Sequence, residues 1–325
     1  AIDFMASDTA KPFVIPVFGL VLGVVLTSAT KATDVGRLVL FFGVQSFMNI
    51  FMAWVFRMHV TVPKGFELPG GERLEKDLHG CPVGFALTAM QQVISFLCFA
   101  CLYGCLYFTK YRIVPKHVGS VKEAASICAF GCVFALNVAL NNFSLGYVSI
   151  AVNLIIRSCL PLTTLLAQQL LAAFGLYPCK ACRPLELSLM VAGVMCACAF
   201  TVARIMGSES AGHSSSNMVL GVSMCLASVL CGSLNLSLAG ALGEMKLGVF
   251  DTVAYMSVPA TLFLLPFAMF LKKPVPGEWP AVFGMDGLEQ ASDWQILHKV
   301  YIIAPSTFAL FVLSGVFSFA YNIVQ

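Results

Sequence analysis

The side chains able to do chemistry are few, and one of them is a permanent cation inside an apolar run. From Tyr147 the chain reads Tyr-Val-Ser-Ile-Ala-Val-Asn153-Leu-Ile-Ile-Arg157-Ser-Cys-Leu-Pro161, and it stays largely apolar to about Phe174. Arg157 therefore falls in the middle of a segment long enough to cross a bilayer. A guanidinium at that depth is costly and usually faces a wet cavity or a partner. No acidic residue lies within a plausible membrane span, so the counter-charge expected for Arg157 is a visiting anion. Its planar fork suits bidentate contacts to phosphate. The competing reading is a structural arginine bonded to main-chain carbonyls. It is placed second because ionisable groups inside a membrane are functional by default.

Helical spacing sets what accompanies this cation. Asn153 at i−4 and Pro161 at i+4 share its face, and Pro161 should free a backbone carbonyl and kink the helix. Gln45 and Asn49 form an i, i+4 polar pair in an earlier span, and Gln91 and Gln92 sit in the next one. Each of these amides serves either as a cavity group or as a helix–helix hydrogen bond. Tyr321 and Asn322 close the last apolar run and could offer a hydroxyl and an amide to a sugar.

The rest of the chain must position these groups within a membrane. Of its 325 residues, 59% are hydrophobic and only 11% are charged, against roughly a quarter charged in soluble domains. That composition indicates an all-α, polytopic membrane helical bundle. Phe13 to Leu26 is a short apolar helix, read as an extra element. Spans are expected at Leu38–Phe56, Val83–Phe108, Ala124–Leu140, Tyr147–Phe174, Leu187–Ala203, Met218–Leu242, Val249–Leu271 and Val300–Gln325. The loop at 57–82 reads as solvated with balanced charge, and the connection at 141–146 as very tight. The loop at 110–122 carries Lys110, Arg112, Lys116 and Lys122 with no acid inside it, which places it on the cytoplasmic side. The loop at 207–217 has no Lys or Arg, as expected of the opposite side. The sequons at Asn142 and Asn235 are expected to stay unglycosylated.

Several function classes are disfavoured. All histidines (His59, His79, His117, His213 and His298) lie in loops, and Asp and Glu occupy loops or span edges. An intramembrane enzyme or a proton pump needs such groups at depth. No enzymatic activity and no cofactor are therefore expected. The 13 cysteines are scattered singly through apolar runs, as small packing residues. The Cys179-Lys-Ala-Cys182 spacing lacks the second pair that a zinc site would need. So few charges also argue against a nucleic-acid partner.

Phe134-Ala-Leu-Asn137-Val-Ala resembles Phe319-Ala-Tyr-Asn322-Ile-Val, as expected of an internal repeat. At these residues the chain resembles the drug/metabolite transporter superfamily, in its triose-phosphate translocator and nucleotide-sugar transporter branch. The pattern Asn142-x-Ser-Leu-x-x-Val148-Ser-x-x-x-Asn153-x-x-x-Arg157-Ser-x-x-Pro161 is similar to that family's third-to-fourth helix junction. Gln45-x-x-x-Asn49-x-x-x-x-Trp54 is similar to its first-helix pattern, with Met52 and Ala53 in place of an Asn-Lys pair. Phe319-Ala-Tyr321-Asn322 is close to its Tyr-Asn pair.

The resemblance implies an inverted five-plus-five fold of ten helices, of which about eight are present here. Residues 1–36 would form an N-terminal segment, 37–206 a first five-helix repeat and 207–325 an incomplete second repeat, so the chain is expected to continue beyond its eighth family helix. It also implies antiport by alternating access, with Arg157 matching the family's basic ligand and Asn141 and Tyr321 matching positions near the substrate. The other basic ligands belong to a ninth helix outside this sequence. Expected partners are a nucleotide sugar or phosphorylated sugar, exchanged for a nucleoside monophosphate or phosphate, together with the lipid bilayer; a homodimer is an open alternative. The expected site is the Golgi or endoplasmic reticulum membrane, with a plastid-type or other organelle envelope as the alternative. A transporter-derived structural subunit of a larger membrane assembly is the second functional reading.

Overall fold

The computed structural model describes residues 11–29, 33–58, 60–67, 73–74, 77–110, 115–175, 183–210, 215–243, 248–275, 279–282 and 290–324. The Cys179–Cys182 spacing lies outside them. The chain is an all-α polytopic helical bundle with two small hairpins. Its helices are α1 (Val14–Ala29), α2 (Thr33–Ala53), α3 (Gly84–Tyr107), α4 (Val121–Leu145), α5 (Ile150–Arg157), α6 (Leu160–Ala173), α7 (Pro184–Ser210), α8 (Ser215–Gly243), α9 (Val249–Phe270), α10 (Trp279–Val282), α11 (Asp293–Ile303) and α12 (Thr307–Val324). With α5 and α6 taken as one segment, eight stretches among the described residues are long and apolar enough to cross a membrane, and α12 is a shorter apolar helix.

The bundle core joins α3, α4, α9 and α12, with α8 packed along α4. The first helix stands outside this core and packs along α2. Small residues make that contact. A Cβ on Gly23 would lie 2.5 Å from the Leu40 amide nitrogen, and one on Gly43 would lie 2.8 Å from that of Leu20. The two backbones thus touch, which is how helices associate where lipid supplies no hydrophobic drive.

Four sequence expectations are corrected. First, α4 does not end at Leu140 but continues to Leu145. Asn141 and Asn142 are therefore helical and buried rather than part of a tight loop. Second, the fourth span is two helices. Its first half ends at Arg157, where the Ser158 amide closes on the Leu154 carbonyl at 3.0 Å. The break precedes Pro161, which sits in the first turn of α6, where its missing N–H costs nothing. Pro161 also cannot supply the amide that would have closed on the Arg157 carbonyl. Third, the last span does not begin at Val300, which belongs to α11; Ala304, Pro305 and Ser306 separate α11 from α12. Ala304 has φ −141° and ψ 69°, off the helical region, as expected before a proline.

Fourth, the stretch 57–82 is not a plain solvated loop, and a second hairpin follows α9. β1 (Val60–Val62) pairs antiparallel with β2 (Leu78–His79), and β3 (Lys272–Pro274) with β4 (Gln290–Ser292). Leu74, Leu78, Cys81 and Trp279 are buried among core residues. The Trp279 indole donates to the Gly80 carbonyl at 3.2 Å, joining the two stretches. Together they form a cap over one end of the bundle, the end opposite the basic 110–122 loop. Burial pushes the Cys81 thiol well above its ordinary range, and nearby Asp293 adds to the shift.

Candidate functional site

At mid-depth the bundle encloses a polar cavity between α2, α3, α4, α5 and α12. Gln45 and Asn49 come from α2, Gln91 from α3, Asn137, Asn141 and Asn142 from α4, Arg157 from the end of α5, and Ser318 and Tyr321 from α12. Met48, Met52, Phe134 and Val138 complete the wall. The cavity has a volume of about 70 Å³, room for several waters.

Of the seven residues singled out from the sequence, Gln45, Asn49, Asn141, Arg157 and Tyr321 meet here. The amide pair on α2 plays both of its expected parts at once. Gln45 donates to Asn49 Oδ1 at 3.4 Å within its helix, and it accepts from the Tyr321 hydroxyl of α12 at 2.5 Å. Asn49 is buried, and its Nδ2 has no partner among the described residues. Asn49 lines the same cavity as the guanidinium, with its unpartnered Nδ2 buried.

Arg157 has one hydrogen bond to a described residue, a long one of 3.4 Å from its Nη1 to the Ser228 hydroxyl of α8. Ser228 is held by Asn137, donating to its carbonyl at 2.8 Å and its Oδ1 at 3.0 Å. The nearest titratable neighbours of the guanidinium are Tyr321 and Cys225, not a carboxylate. The buried acids lie elsewhere. Asp293 sits in the cap, and Asp251 on α9 accepts from Tyr103 of α3 at 3.1 Å toward the other end of the bundle. A cation with five N–H donors thus borders a polar space with a single weak contact.

Two of the seven stand apart from the cavity wall. Asn153 does not share the cavity with Arg157, because α5 turns that position toward the joint of α4 and α8. Its Nδ2 reaches Asn141 Oδ1 at 3.1 Å, Ser144 Oγ at 2.8 Å and Cys225 Sγ at 3.4 Å. It therefore holds Asn141 from behind. Asn322 is 2% exposed and also misses the cavity. Adjacent residues on a helix diverge by about 100°, and on α12 it is Tyr321 that faces the cavity.

Sequence reasoning passed over Asn137, Asn142, Ser228 and Ser318 as site residues. Asn137 had a signal, since it lies in the Phe134–Ala139 stretch that resembles Phe319–Val324. Asn142 was assigned to a loop when α4 was ended too early. The serines look like ordinary small residues of a packed membrane helix until their neighbours are known.

The sequence matches no protein-family model and no curated protein. What the site does is therefore argued from its geometry.

Proposed function

We propose that the chain is a transmembrane carrier of phosphorylated organic anions, exchanging a nucleotide sugar or sugar phosphate for a nucleoside monophosphate or phosphate by alternating access. One observation carries this reading: Arg157 borders a polar mid-bundle cavity that no carboxylate among the described residues lines. Placing an arginine at the centre of a membrane helix costs about 3 kcal/mol on insertion scales, and an anionic solute offsets that cost. Beside Arg157 the hydrogen-bond ladder lapses at Ser158 and Cys159, which keep right-handed helical dihedrals, a point where the span can bend.

The cavity volume fits a phosphate group with a few waters, so a larger solute requires the bundle to open around it. In the loaded state the anion neutralises Arg157 while the bundle rocks to expose the opposite side. The empty carrier would have to carry an uncompensated cation through the same motion, so it returns slowly. That asymmetry couples the movement of one anion to the return of another. The chain acts without covalent chemistry and belongs in a Golgi or endoplasmic reticulum membrane.

The second reading is a structural subunit of a larger membrane assembly. It is favoured by α1, which lies outside the core with Val14, Ile15, Phe18 and Val21 exposed. Counterflow in liposomes separates the two. Vesicles loaded with phosphate, a sugar phosphate, a nucleoside monophosphate or a nucleotide sugar are challenged with the labelled solute outside. The carrier accumulates at least one of them, and Arg157→Ala abolishes the uptake. Absence of exchange with every solute leaves the structural subunit; unchanged exchange by the variant overturns the role given to Arg157.

A further inference from the structure

The cap contains a helix whose two faces have different partners. On α11, Asp293, Ile296 and Val300 are buried against the bundle. The opposite face presents Trp294, Tyr301 and Ile302, which are 54%, 64% and 49% exposed, together with His298. These positions follow i, i+4, i+7 and i+8, a continuous stripe along one side of a helix. An aromatic stripe mixed with His298 and the neighbouring Lys299 is unlike a water-facing helix, and it is too polar for the hydrocarbon core.

The depth of α11 follows from α9. That helix has 22 residues, about 33 Å at 1.5 Å each, against a hydrocarbon layer of about 30 Å. It therefore crosses, and Leu271 at its end lies at the edge of the hydrocarbon. β3 begins at the next residue and pairs with β4, whose Ser292 caps α11, so α11 starts at that edge. Ala304, Pro305 and Ser306 join α11 to α12. The Tyr301 ring packs edge-on against Phe308, the second residue of α12, at 5.7 Å and 88°. The exposed stripe is thus continuous with the lipid-facing surface of α12, where Val312 and Leu313 are exposed.

We propose that α11 is an interfacial anchor lying in the lipid headgroup layer. Trp294 and Tyr301 sit at headgroup level, as aromatic residues do in membrane proteins, and Lys299 and His298 turn their polar ends toward phosphates and water. The occupant of this face is the bilayer surface itself. The inference is independent of whether the chain carries anions.

Tryptophan fluorescence tests it in phosphatidylcholine vesicles. The chain has three tryptophans, so subtracting the Trp294→Phe signal from wild type isolates Trp294 while Trp54 and Trp279 cancel. The vesicles carry a nitroxide either on the choline headgroup or deep on the acyl chain. Iodide probes access from water. The difference signal should be quenched at least about twofold more by the headgroup label than by the deep one, with iodide acting more weakly than on free tryptophan. Full quenching by iodide with no effect of either lipid label would put α11 in water and overturn the proposal. Equal or stronger quenching by the deep label would also overturn it, by placing the helix in the hydrocarbon. If Trp294→Phe fails to fold, Trp294→Tyr provides the same subtraction and is read by the same outcomes.

Discussion

Lys273 Nζ lies 2.5 Å from Asp293 Oδ1, and the two side chains are 4% and 1% exposed. The other carboxylate oxygen accepts the Ala86 amide in the first turn of α3 at 2.9 Å, where the helix dipole also favours a negative charge. The ammonium stands 5.0 Å from the Phe143 ring centroid. One buried pair therefore ties β3, α11, α3 and α4 together at the capped end. Removing one partner strands the other without water. Lys273→Ala and Asp293→Ala should each lower stability by about 3–5 kcal/mol. Asp293→Asn keeps an acceptor for the Ala86 amide and should cost less than Asp293→Ala. Thermal unfolding in detergent ranks the three; a Tm unchanged in all of them would contradict the buried pair.

Arg157→Lys keeps the charge but loses the planar fork. Exchange of a phosphorylated solute should fall at least about tenfold, with the apparent KM raised, while Arg157→Ala abolishes it. Rates in reconstituted vesicles provide the measurement. Equal rates for Lys and Arg would mean that charge alone suffices.

Asn153 and Arg157 are one helical turn apart but should respond differently. Replacing Asn153 by Ala removes a donor to Asn141 and Ser144 and should destabilise the fold by about 1–3 kcal/mol. Its effect on exchange should be indirect, reaching the cavity through Asn141. A Tm shift larger for Asn153→Ala than for Arg157→Ala is the expected pattern.

Cys81 is fully buried beneath the cap, and its pKa is raised by burial and by Asp293. The neutral thiol is thus the favoured form in the fold. A folded-state pKa above the unfolded one makes this contribution complete below the ordinary thiol value, and it is lost as pH rises through the alkaline range. Mass spectrometry after maleimide treatment near pH 7 should find Cys81 unmodified in the folded protein and modified once it is unfolded. Lys273→Ala should speed Cys81 labelling by loosening the cap.

Gly23→Leu tests the seat of α1. Even its Cβ would meet the Leu40 backbone at 2.5 Å, so α1 must separate from α2. Amide hydrogen exchange along α1 should rise sharply, with core stability little changed. Unchanged exchange in the variant would show that the helices do not touch as described.

The spans were legible because length and apolarity are local quantities, and a lone arginine in such a run is visible without any structure. The meeting of Gln45 with Tyr321 was not legible as a contact, since the two are far apart in sequence, although each was visible as a polar group in an apolar helix. The cap was misread for a different reason. Leu74 and Leu78 are isolated apolar residues among charges, Trp279 sits in a Pro- and Gly-rich run, and only the bundle end that covers them makes them core. Asn153 shows the limit of helical periodicity: it gives the face of a residue but not which neighbour lies there.

The interruption after Arg157 has a mechanical consequence. An unbroken rod through the bilayer would move as a whole, whereas α5 is an eight-residue stub, about 12 Å long. At its outer end, just before the stub, the Tyr147 hydroxyl donates to the Pro274 carbonyl of β3. At its inner end stands the guanidinium. Displacement of the hairpin is therefore delivered to the charge through a short lever, while α6, beyond the joint, can keep its place.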